Sequence, residues 1–469
     1  MASYLKIVLT PCLDEEYNFK FCDVQMELEK PDLKKGDGIA SIWKMIAGVP
    51  RSPLGETGLQ VEDESGKFSL TEKTEKDFGF DKDVWCVDRP SVGNVKLCYR
   101  FYPRNLEGVY RCHPIFDVIQ EKNGALICGV TSLLMVPQGE YHIFVKWDHS
   151  HMPENARTAS IKGVEDFDFV GTPMDYAFSL YLVGDYQYVK DTTGKYKVYW
   201  LDRNLPDSEK VSKQIPPLMK EICRFFHDED LTYSIFLRKE PFEISNSGTA
   251  FPGGFAYGYS DTMPLDMNKA LNTFAHEMIH NWPQMENLRG ESTWYAEGTA
   301  EFYSVMIPLR SGIVNADQAA EWLTQKSVNY YNNPYQTMGN EEVYEKAWEN
   351  GQIQRVSYGR GLFYLAEVDV CLRKRSNGNK TLDHLIWELE QRRRDKKVIR
   401  ISDWEELLER ELGEESVRVF HEIMNGKREI PVNEEWFDGI FTYSRGIYQD
   451  CKVGKIENAV IWKKKEAEK

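Results

Sequence analysis

Alternating apolar and polar positions run through the first third of the chain. In Val95–Phe101 every second side chain is apolar, and Tyr141–Trp147 repeats the pattern. A period of two is typical of strands that bury one face. Glycine, proline, asparagine and aspartate interrupt these runs, as turns between strands require. The pattern predicts an N-terminal β domain, a β-sandwich or an open sheet, over residues 1–168.

A mixed pattern follows from about residue 170. Apolar runs of strand length occupy 176–183, 195–200 and 231–238. Residues 208–227 have helical periodicity, although Pro216 and Pro217 are expected to kink or split this helix. From 265 to 425 the periodicity is mainly helical, and the last residues are mixed and aromatic. The sequence therefore predicts an α+β chain of several domains.

One predicted helix carries a metal-binding pattern. The stretch His276-Glu277-Met278-Ile279-His280 has the form H-E-x-x-H. Two histidines four positions apart lie on the same face of a helix, so both imidazoles can contact one ion. The glutamate beside the first histidine can then contact a water molecule at that ion.

The helix itself is predicted by the apolar residues around this pattern. They recur at helical spacing: Leu271, Phe274, Ala275, Met278, Ile279 and Trp282. Asp266 is expected to cap the start of the helix, and Pro283 to close its end. H-E-x-x-H also occurs by chance, so a third ligand is required before a metal site is predicted.

Glu297 supplies that third ligand. It follows His280 after sixteen residues, a gap that allows a turn and a second, antiparallel helix. Glu301 lies four residues further and shares its helix face. It is expected to accept the second ring N–H of a ligating histidine, unless it is a plain surface acid. The prediction is one Zn²⁺ per chain held by His276, His280 and Glu297, the donor set of a catalytic zinc site.

The chemistry expected of this set is hydrolysis. Zinc polarises a carbonyl group and acidifies water. Glu277 is predicted to be the general base, which takes the proton of water and passes it to a leaving amine. A purely structural ion is the alternative, and the glutamate beside the first histidine argues against it.

These residues resemble a known group of enzymes. H-E-x-x-H followed by W-x-x-E-G, here Trp294 to Gly298, is similar to the signature of the gluzincin metallopeptidases, and in particular of the glycyl-aminopeptidase family, which is related to aminopeptidase N. Downstream, Tyr358 to Gly361 resembles that family's Y-x-x-G segment. The resemblance implies that Tyr358 is a catalytic residue that donates to the oxyanion. The alternative is an aromatic side chain packed in the core.

The resemblance also implies an architecture. It predicts a thermolysin-like catalytic domain over 169–310 and a helical domain over 311–430 that completes the active-site cleft. A short extension over 431–469 leaves too few residues for the PDZ domain that such enzymes usually carry. The spacer between the second and third ligands is shorter than in aminopeptidase N, which requires a tighter connection.

One expected acid is absent. The family has a glutamate, which binds the free ammonium of the substrate, in the strand before the metal helix. Here that strand contains Gly253, Gly254, Phe255 and Ala256, and no acid. We expect these four residues to bind an extended substrate along the strand edge. The acids considered as replacements for the missing glutamate are Glu286, Glu291 and Asp261.

Three functions follow from this reading. The first is a zinc aminopeptidase. The second is a zinc endopeptidase, or a peptidase for blocked peptides, which the missing glutamate favours. The third is a catalytically silent relative that binds a peptide or a protein partner, although all three ligands and Glu277 are retained.

Charge and composition exclude other classes. The 469 residues include 74 acids and 58 lysines or arginines, a net charge of −16, which argues against a nucleic-acid partner. No apolar run is long enough for a signal peptide or a membrane span. Nine dispersed cysteines are typical of a cytoplasmic protein with reduced thiols. His149 and His151 are expected to cap a loop rather than bind metal. The partner predicted is a peptide substrate, and the oligomeric state is left open.

Overall fold

A computed structural model of the chain describes residues 3–77, 79–107, 114–242, 248–288, 290–347, 349–450 and 454–466. These residues form two compact units. The first unit contains the chain up to Ser212 together with Asp230–Asp266, and the second contains Lys213–Glu229 together with the chain from Met267 onward. The first unit is therefore discontinuous in sequence.

Most of the first unit is β-structure. Its strands are β1 Ser3–Leu13, β2 Phe19–Leu28, β3 Gly38–Trp43, β4 Met45–Ile46, β5 Val49–Pro50, β6 Gln60–Asp63, β7 Gly66–Lys67, β8 Leu70–Asp77, β9 Phe80–Val87, β10 Val95–Phe101, β11 Ile119–Glu121, β12 Gly124–Cys128, β13 Tyr141–Trp147, β14 Arg157–Ser160, β15 Phe167–Gly171, β16 Leu180–Gly184, β17 Gln187–Lys190, β18 Tyr196–Trp200, β19 Tyr233–Lys239, β20 Gly248–Phe251 and β21 Gly254–Tyr259. Two short helices, α1 Gly129–Ser132 and α2 Pro173–Ala177, lie between them.

The largest sheet of this unit has the order β15-β13-β1-β2-β10-β6-β7. In β10 the predicted alternation is present, because Val95, Leu97, Tyr99 and Phe101 are buried. β1 buries one face in the same way and pairs in parallel with β13. The second sheet has the order β11-β12-β16-β14, and its buried face joins the same core. A third sheet has the order β3-β9-β8.

A five-stranded sheet, of order β17-β18-β19-β21-β20, completes the first unit. β18, β19 and β21 are parallel neighbours, whereas β20 runs antiparallel at the edge. The strand predicted over 176–183 is wrong at its start, because residues 176 and 177 end helix α2, and β16 begins only at Leu180. Pro173 begins this helix, and Asp175 accepts from the backbone of Thr172 at 2.6 Å, a capping box that favours helix.

The second unit is mainly helical. Its elements are most of α3 Ser208–Phe225, α4 Met267–Ile279, α5 Thr293–Arg310, α6 Ala316–Tyr331, α7 Asn340–Lys346, α8 Gly351–Arg375, α9 Leu382–Arg394, α10 Ile401–Leu412, α11 Glu414–Met424, the 3₁₀ turn Phe437–Gly439, β22 Phe441–Asp450 and β23 Gly454–Lys464. The α+β class predicted from the sequence is thereby confirmed. The finer division at 168, 310 and 430 stays a prediction.

Helix α3 is continuous through Pro216 and Pro217, so the expected split does not occur. The helix buries Val211, Ile215 and Ile222 completely. Burial of a full apolar stripe compensates for the backbone hydrogen bonds that the two prolines remove. None of the helices in the described ranges combines the length and the apolar character needed to cross a bilayer.

Candidate metal centre

Helix α4 carries the first half of the predicted site. It buries Leu271, Phe274 and Met278 on one face, as the apolar stripe predicts. The helix ends at Ile279, so His280 is the first residue beyond it. Asp266 immediately precedes the helix, where a cap was predicted.

Trp282 fixes the turn that follows His280. Its backbone N–H donates to Ile279 O at 3.0 Å, and its indole N–H donates to Asp228 at 2.9 Å. The indole also stacks on Phe226, with 4.6 Å between ring centroids and 5° between planes. This anchoring holds His280 in position although it lies outside regular helix.

Helix α5 carries Glu297 and Glu301. Its neighbour α8 approaches so closely that a Cβ on Gly298 would lie 2.5 Å from the backbone of Gly361. Gly298 of the W-x-x-E-G pattern is therefore required by this crossing rather than by any turn. Trp294, from the same pattern, is completely buried.

The three predicted ligand atoms converge. His276 Nε2 lies 3.1 Å from His280 Nε2 and 3.3 Å from Glu297 Oε2, and His280 Nε2 lies 3.6 Å from Glu297 Oε2. A tetrahedral zinc ion with bonds of about 2.0–2.1 Å places its ligand atoms about 3.3 Å apart. The buried Oε2 of Glu297 has no hydrogen-bond partner among the described residues. Spacing and donor types therefore fit zinc, and among the described residues these three side chains form a group able to hold one metal ion.

The charges of these groups are strongly coupled. Burial opposes protonation of His276, but Glu297 and Glu301 raise its pKa to about 10. Burial lowers the pKa of His280 to about 4. Two imidazoles with nitrogens 3.1 Å apart cannot both carry a proton between them. A cation is the species that satisfies both nitrogens and the carboxylate at once.

Glu277, the predicted base, is half-buried at the same end of α4. Burial raises its pKa to about 7, and repulsion from Glu297 and Glu301 acts in the same direction, while His276 opposes it. A nearby cation favours the carboxylate form. Its role as general base stays a prediction.

Glu301 contacts the opposite nitrogen of His276. The distance from Oε1 to Nδ1 is 3.1 Å, which is within ion-pair distance but lacks hydrogen-bond geometry. The predicted role of Glu301 in orienting His276 stays a prediction. Its other oxygen forms an ion pair with Lys326 of α6. Burial disfavours the charge of Glu301, yet Lys326 and His276 lower its pKa to about 2. Lys326 was missed because no sequence signal connects helix α6 with the motif.

Tyr358 lies in the second turn of α8 and faces the site. Its ring is nearly parallel to that of His276, at 3° and with centroids 5.6 Å apart. Burial raises its pKa well above the ordinary value, and Glu297 adds to the shift. The phenol therefore keeps its proton and can donate a hydrogen bond. Its role as oxyanion donor stays a prediction.

The structure does not place the predicted substrate strand at an edge. β21 pairs with β19 on one side and β20 on the other, so the expectation of a free edge there is wrong. Phe255 and Ala256 are completely buried. Gly253 has φ +78° at the turn before β21, and a Cβ on Gly254 would lie 2.5 Å from Ser234 O. Both glycines thus have structural reasons, and substrate contact by these four residues stays a prediction.

Two of the acids considered for the substrate ammonium have cationic partners. Glu286 lies 2.7 Å from Arg400, and Asp261 lies 2.7 Å from Lys239. Glu291 is exposed. The loop histidine His149 contacts the Thr158 side chain at 3.0 Å, and its expected capping role stays a prediction.

No known protein family and no curated protein matches this sequence. Solved structures do match. An aminopeptidase N family protein from Idiomarina loihiensis has a TM-score of 0.71 and 14% identity, covering 96% of this chain and 81% of that one. An M1 zinc metallopeptidase from Deinococcus radiodurans has a TM-score of 0.54 and 11% identity, covering 92% and 95%. The chain has the M1 zinc metallopeptidase fold.

The M1 fold extends to a further solved structure. Yeast LTA4 hydrolase matches with a TM-score of 0.53 and 12% identity, over 94% of this chain and 70% of that one. At such low identity, the agreement concerns the M1 fold. The function of this chain is therefore inferred from its own residues.

Proposed function

We propose that this chain is a zinc-dependent peptidase, most simply of aminopeptidase type, with Glu277 as general base. The observation that carries the proposal is the convergence of His276, His280 and Glu297 at distances suited to one zinc ion. The Deinococcus M1 protein was crystallised with the peptide Tyr-Ser-Ala, which supports a peptide as the class of substrate.

Each residue has a defined task in this proposal. A zinc ion bound by the three ligands supplies Lewis-acid chemistry, since it polarises a peptide carbonyl and acidifies water. Glu277 takes the proton of the attacking water and delivers it to the leaving nitrogen. Tyr358 donates its phenolic hydrogen to the oxygen on which negative charge develops. Glu301 holds His276 with its Nδ1 proton directed away from the ligand side.

The second candidate is a zinc endopeptidase, or a peptidase for blocked peptides. It is favoured by the acid-free segment Gly254–Tyr259 and by the cationic partners of Glu286 and Asp261. A carboxylate already paired with a cation is a weaker anchor for a substrate ammonium. The two candidates share the hydrolytic residues and differ in whether the substrate needs a free N-terminus.

The test uses zinc-loaded protein and a defined set of peptides, each free and N-acetylated, with products identified by mass spectrometry. Glu277→Gln should lower the rate about 10²- to 10⁴-fold and keep its zinc, because the change removes only the base. The exposed Glu409→Gln is the matched control and should act like the wild type.

The products distinguish the outcomes. Stepwise loss of N-terminal residues from free peptides only would establish an aminopeptidase. Internal cleavage of both sets would establish an endopeptidase. If the protein binds one zinc ion and cleaves none of the peptides, the proposed hydrolytic activity is wrong, and a catalytically silent peptide-binding protein is the remaining hypothesis.

A further inference from the structure

Lys326 is a buried cation that the hydrolytic scheme does not use. It is 8% exposed, although lysine is seldom buried without a partner. Its ammonium group forms an ion pair with Oε2 of Glu301. Because Oε1 of the same carboxylate lies 3.1 Å from His276 Nδ1, Glu301 connects Lys326 to a predicted metal ligand.

Two side chains beside Lys326 on α6 are held from outside the site. The indole N–H of Trp462 in β23 donates to Ser327 Oγ at 2.8 Å, and the backbone N–H of Trp462 donates to Thr324 Oγ1 at 2.9 Å. Both acceptors are within two residues of Lys326 on α6. Strand β23 therefore helps to fix the position from which the ammonium group reaches Glu301.

A carboxylate with one oxygen bound can rotate about its terminal bond, whereas one with both oxygens engaged cannot do so without losing a contact. With Oε2 held by Lys326, Oε1 stays directed at His276 Nδ1. That nitrogen keeps the proton, and Nε2 is left as the ligand atom.

We propose that Lys326 is a positioning residue of the metal centre: through Glu301 it sets the orientation and tautomer of His276. The inference rests on the proposed zinc site and deepens it. The alternative is an ion pair that stabilises the packing of α5 and α6 and does not affect the metal.

Lys326→Met and Lys326→Arg test the proposal with the full chain. Zinc affinity is measured by competition with a chelator, and the ligand geometry is followed by the visible absorption of the cobalt-loaded protein. Loss of a group that orients a ligand typically costs about 10- to 100-fold in metal affinity. We expect about tenfold weaker zinc binding and an altered cobalt spectrum for Lys326→Met, with substantial recovery in Lys326→Arg, which keeps the charge.

Lys380→Met is the matched control, because Lys380 and Glu411 form a 2.7 Å ion pair outside the site. It should leave both readouts unchanged. In zinc-saturated enzyme, Lys326→Met should lower kcat and leave KM nearly unchanged, since the buried Lys326 acts only through Glu301 in this proposal.

Wild-type zinc affinity and an unchanged cobalt spectrum in folded Lys326→Met would overturn the inference. If that variant does not fold, Lys326→Gln, which keeps one hydrogen-bond donor, decides the question by the same criteria. A wild-type protein that binds no zinc would instead overturn the proposed function together with this inference.

Discussion

Tyr358 lies beside His276, and burial raises the pKa of its phenol well above the ordinary value. A prediction follows for its hydroxyl group. Tyr358→Phe removes the hydroxyl and leaves the parallel ring contact intact. Removal of one oxyanion donor costs about 10²- to 10³-fold in kcat. We expect that loss with little change in KM or zinc affinity. Unchanged kcat would show that the ring only packs against the site.

Glu121 gives a prediction for stability against pH. Burial raises its pKa to about 8; Arg238 opposes this shift and Glu240 adds to it. Between the ordinary value of 4.5 and pH 8, the unfolded chain has released a proton that the folded chain retains. Stability from this group is therefore full below pH 4.5 and is lost as pH rises towards 8.

Glu121→Gln should remove this dependence. Its amide oxygen can still accept from the backbone of Lys239, which now donates to Glu121 at 3.1 Å. Between pH 5 and pH 8 the unfolding midpoint of the first unit should fall less in this variant than in the wild type. The difference corresponds to a few kcal/mol, at about 1.4 kcal/mol per pKa unit. The exposed Glu15→Gln should behave like the wild type, and equal slopes for all three proteins would contradict the prediction.

The convergence of His276, His280 and Glu297 could be predicted from the sequence because their spacing within and between two successive helices is short. His276 and His280 lie one turn apart, and Glu297 and Glu301 share a face of the next helix. Lys326 could not be predicted in this way. Its contact with Glu301 arises from the packing of α6 against α5, and no spacing along the chain encodes it.

Helices α5 and α8 meet through two glycines, and this crossing brings together Glu297 and Tyr358. A Cβ on Gly361 would lie 2.2 Å from Trp294 O and 2.6 Å from the Cα of Gly298. Gly361→Ala must push the helices apart, which costs about 1–3 kcal/mol. The same variant should lose activity, because α8 moves away from the metal ligands.

Gly351→Ala is a matched control in the same helix. A Cβ there meets no atom within 4 Å. Alanine is favoured over glycine in helices by up to about 1 kcal/mol, so this variant should be as stable as the wild type or more so. Denaturant unfolding measures both variants, and equal stability of Gly361→Ala and Gly351→Ala would refute the close crossing.

The pairing of the strands is harder to predict from the sequence than their positions. Apolar alternation placed β10 and β13 correctly, because a buried face imposes a period of two. The same reasoning could not show that β20 pairs with β21 and occupies the edge in its place. Residues 176–183 form a short apolar run, and periodicity alone does not separate a buried strand from a buried helix in such a run. The capping box formed by Thr172 and Asp175 favours helix over Pro173–Ala177.

Zinc removal probes the whole molecule, because the two units should respond differently. All three predicted ligands belong to the second unit. Free zinc at a hundred times its Kd adds about 2.7 kcal/mol to the stability of the state that binds it. Calorimetry should therefore show a zinc-dependent rise in the transition of the second unit, reversed by a chelator.

The first unit's transition should not move with zinc. His280→Gln removes one predicted ligand and should abolish the zinc-dependent rise in the transition of the second unit. A zinc effect that persists in this variant, or that appears in the first unit, would place the ion elsewhere.

At this scale the sequence predicted the class of fold well. The spacing of apolar residues changes along the chain from a period of two to a period of 3.6. This change predicts a β-rich first part and a helical second part. The first boundary between the two units, between Ser212 and Lys213, could not be predicted because it falls inside helix α3.

The discontinuous first unit has a consequence for synthesis on the ribosome. Strands β19, β20 and β21 complete its five-stranded sheet, but they are translated after 213–229, which belongs to the second unit. The nascent chain therefore exposes the helical segment 213–229 before the strands that complete the sheet have been synthesised. A fragment that stops at Ser212 would lack β19, β20 and β21 and would leave β18 as an unpaired edge strand. Because exposed edge strands promote aggregation, this fragment should aggregate unless Asp230–Asp266 is supplied.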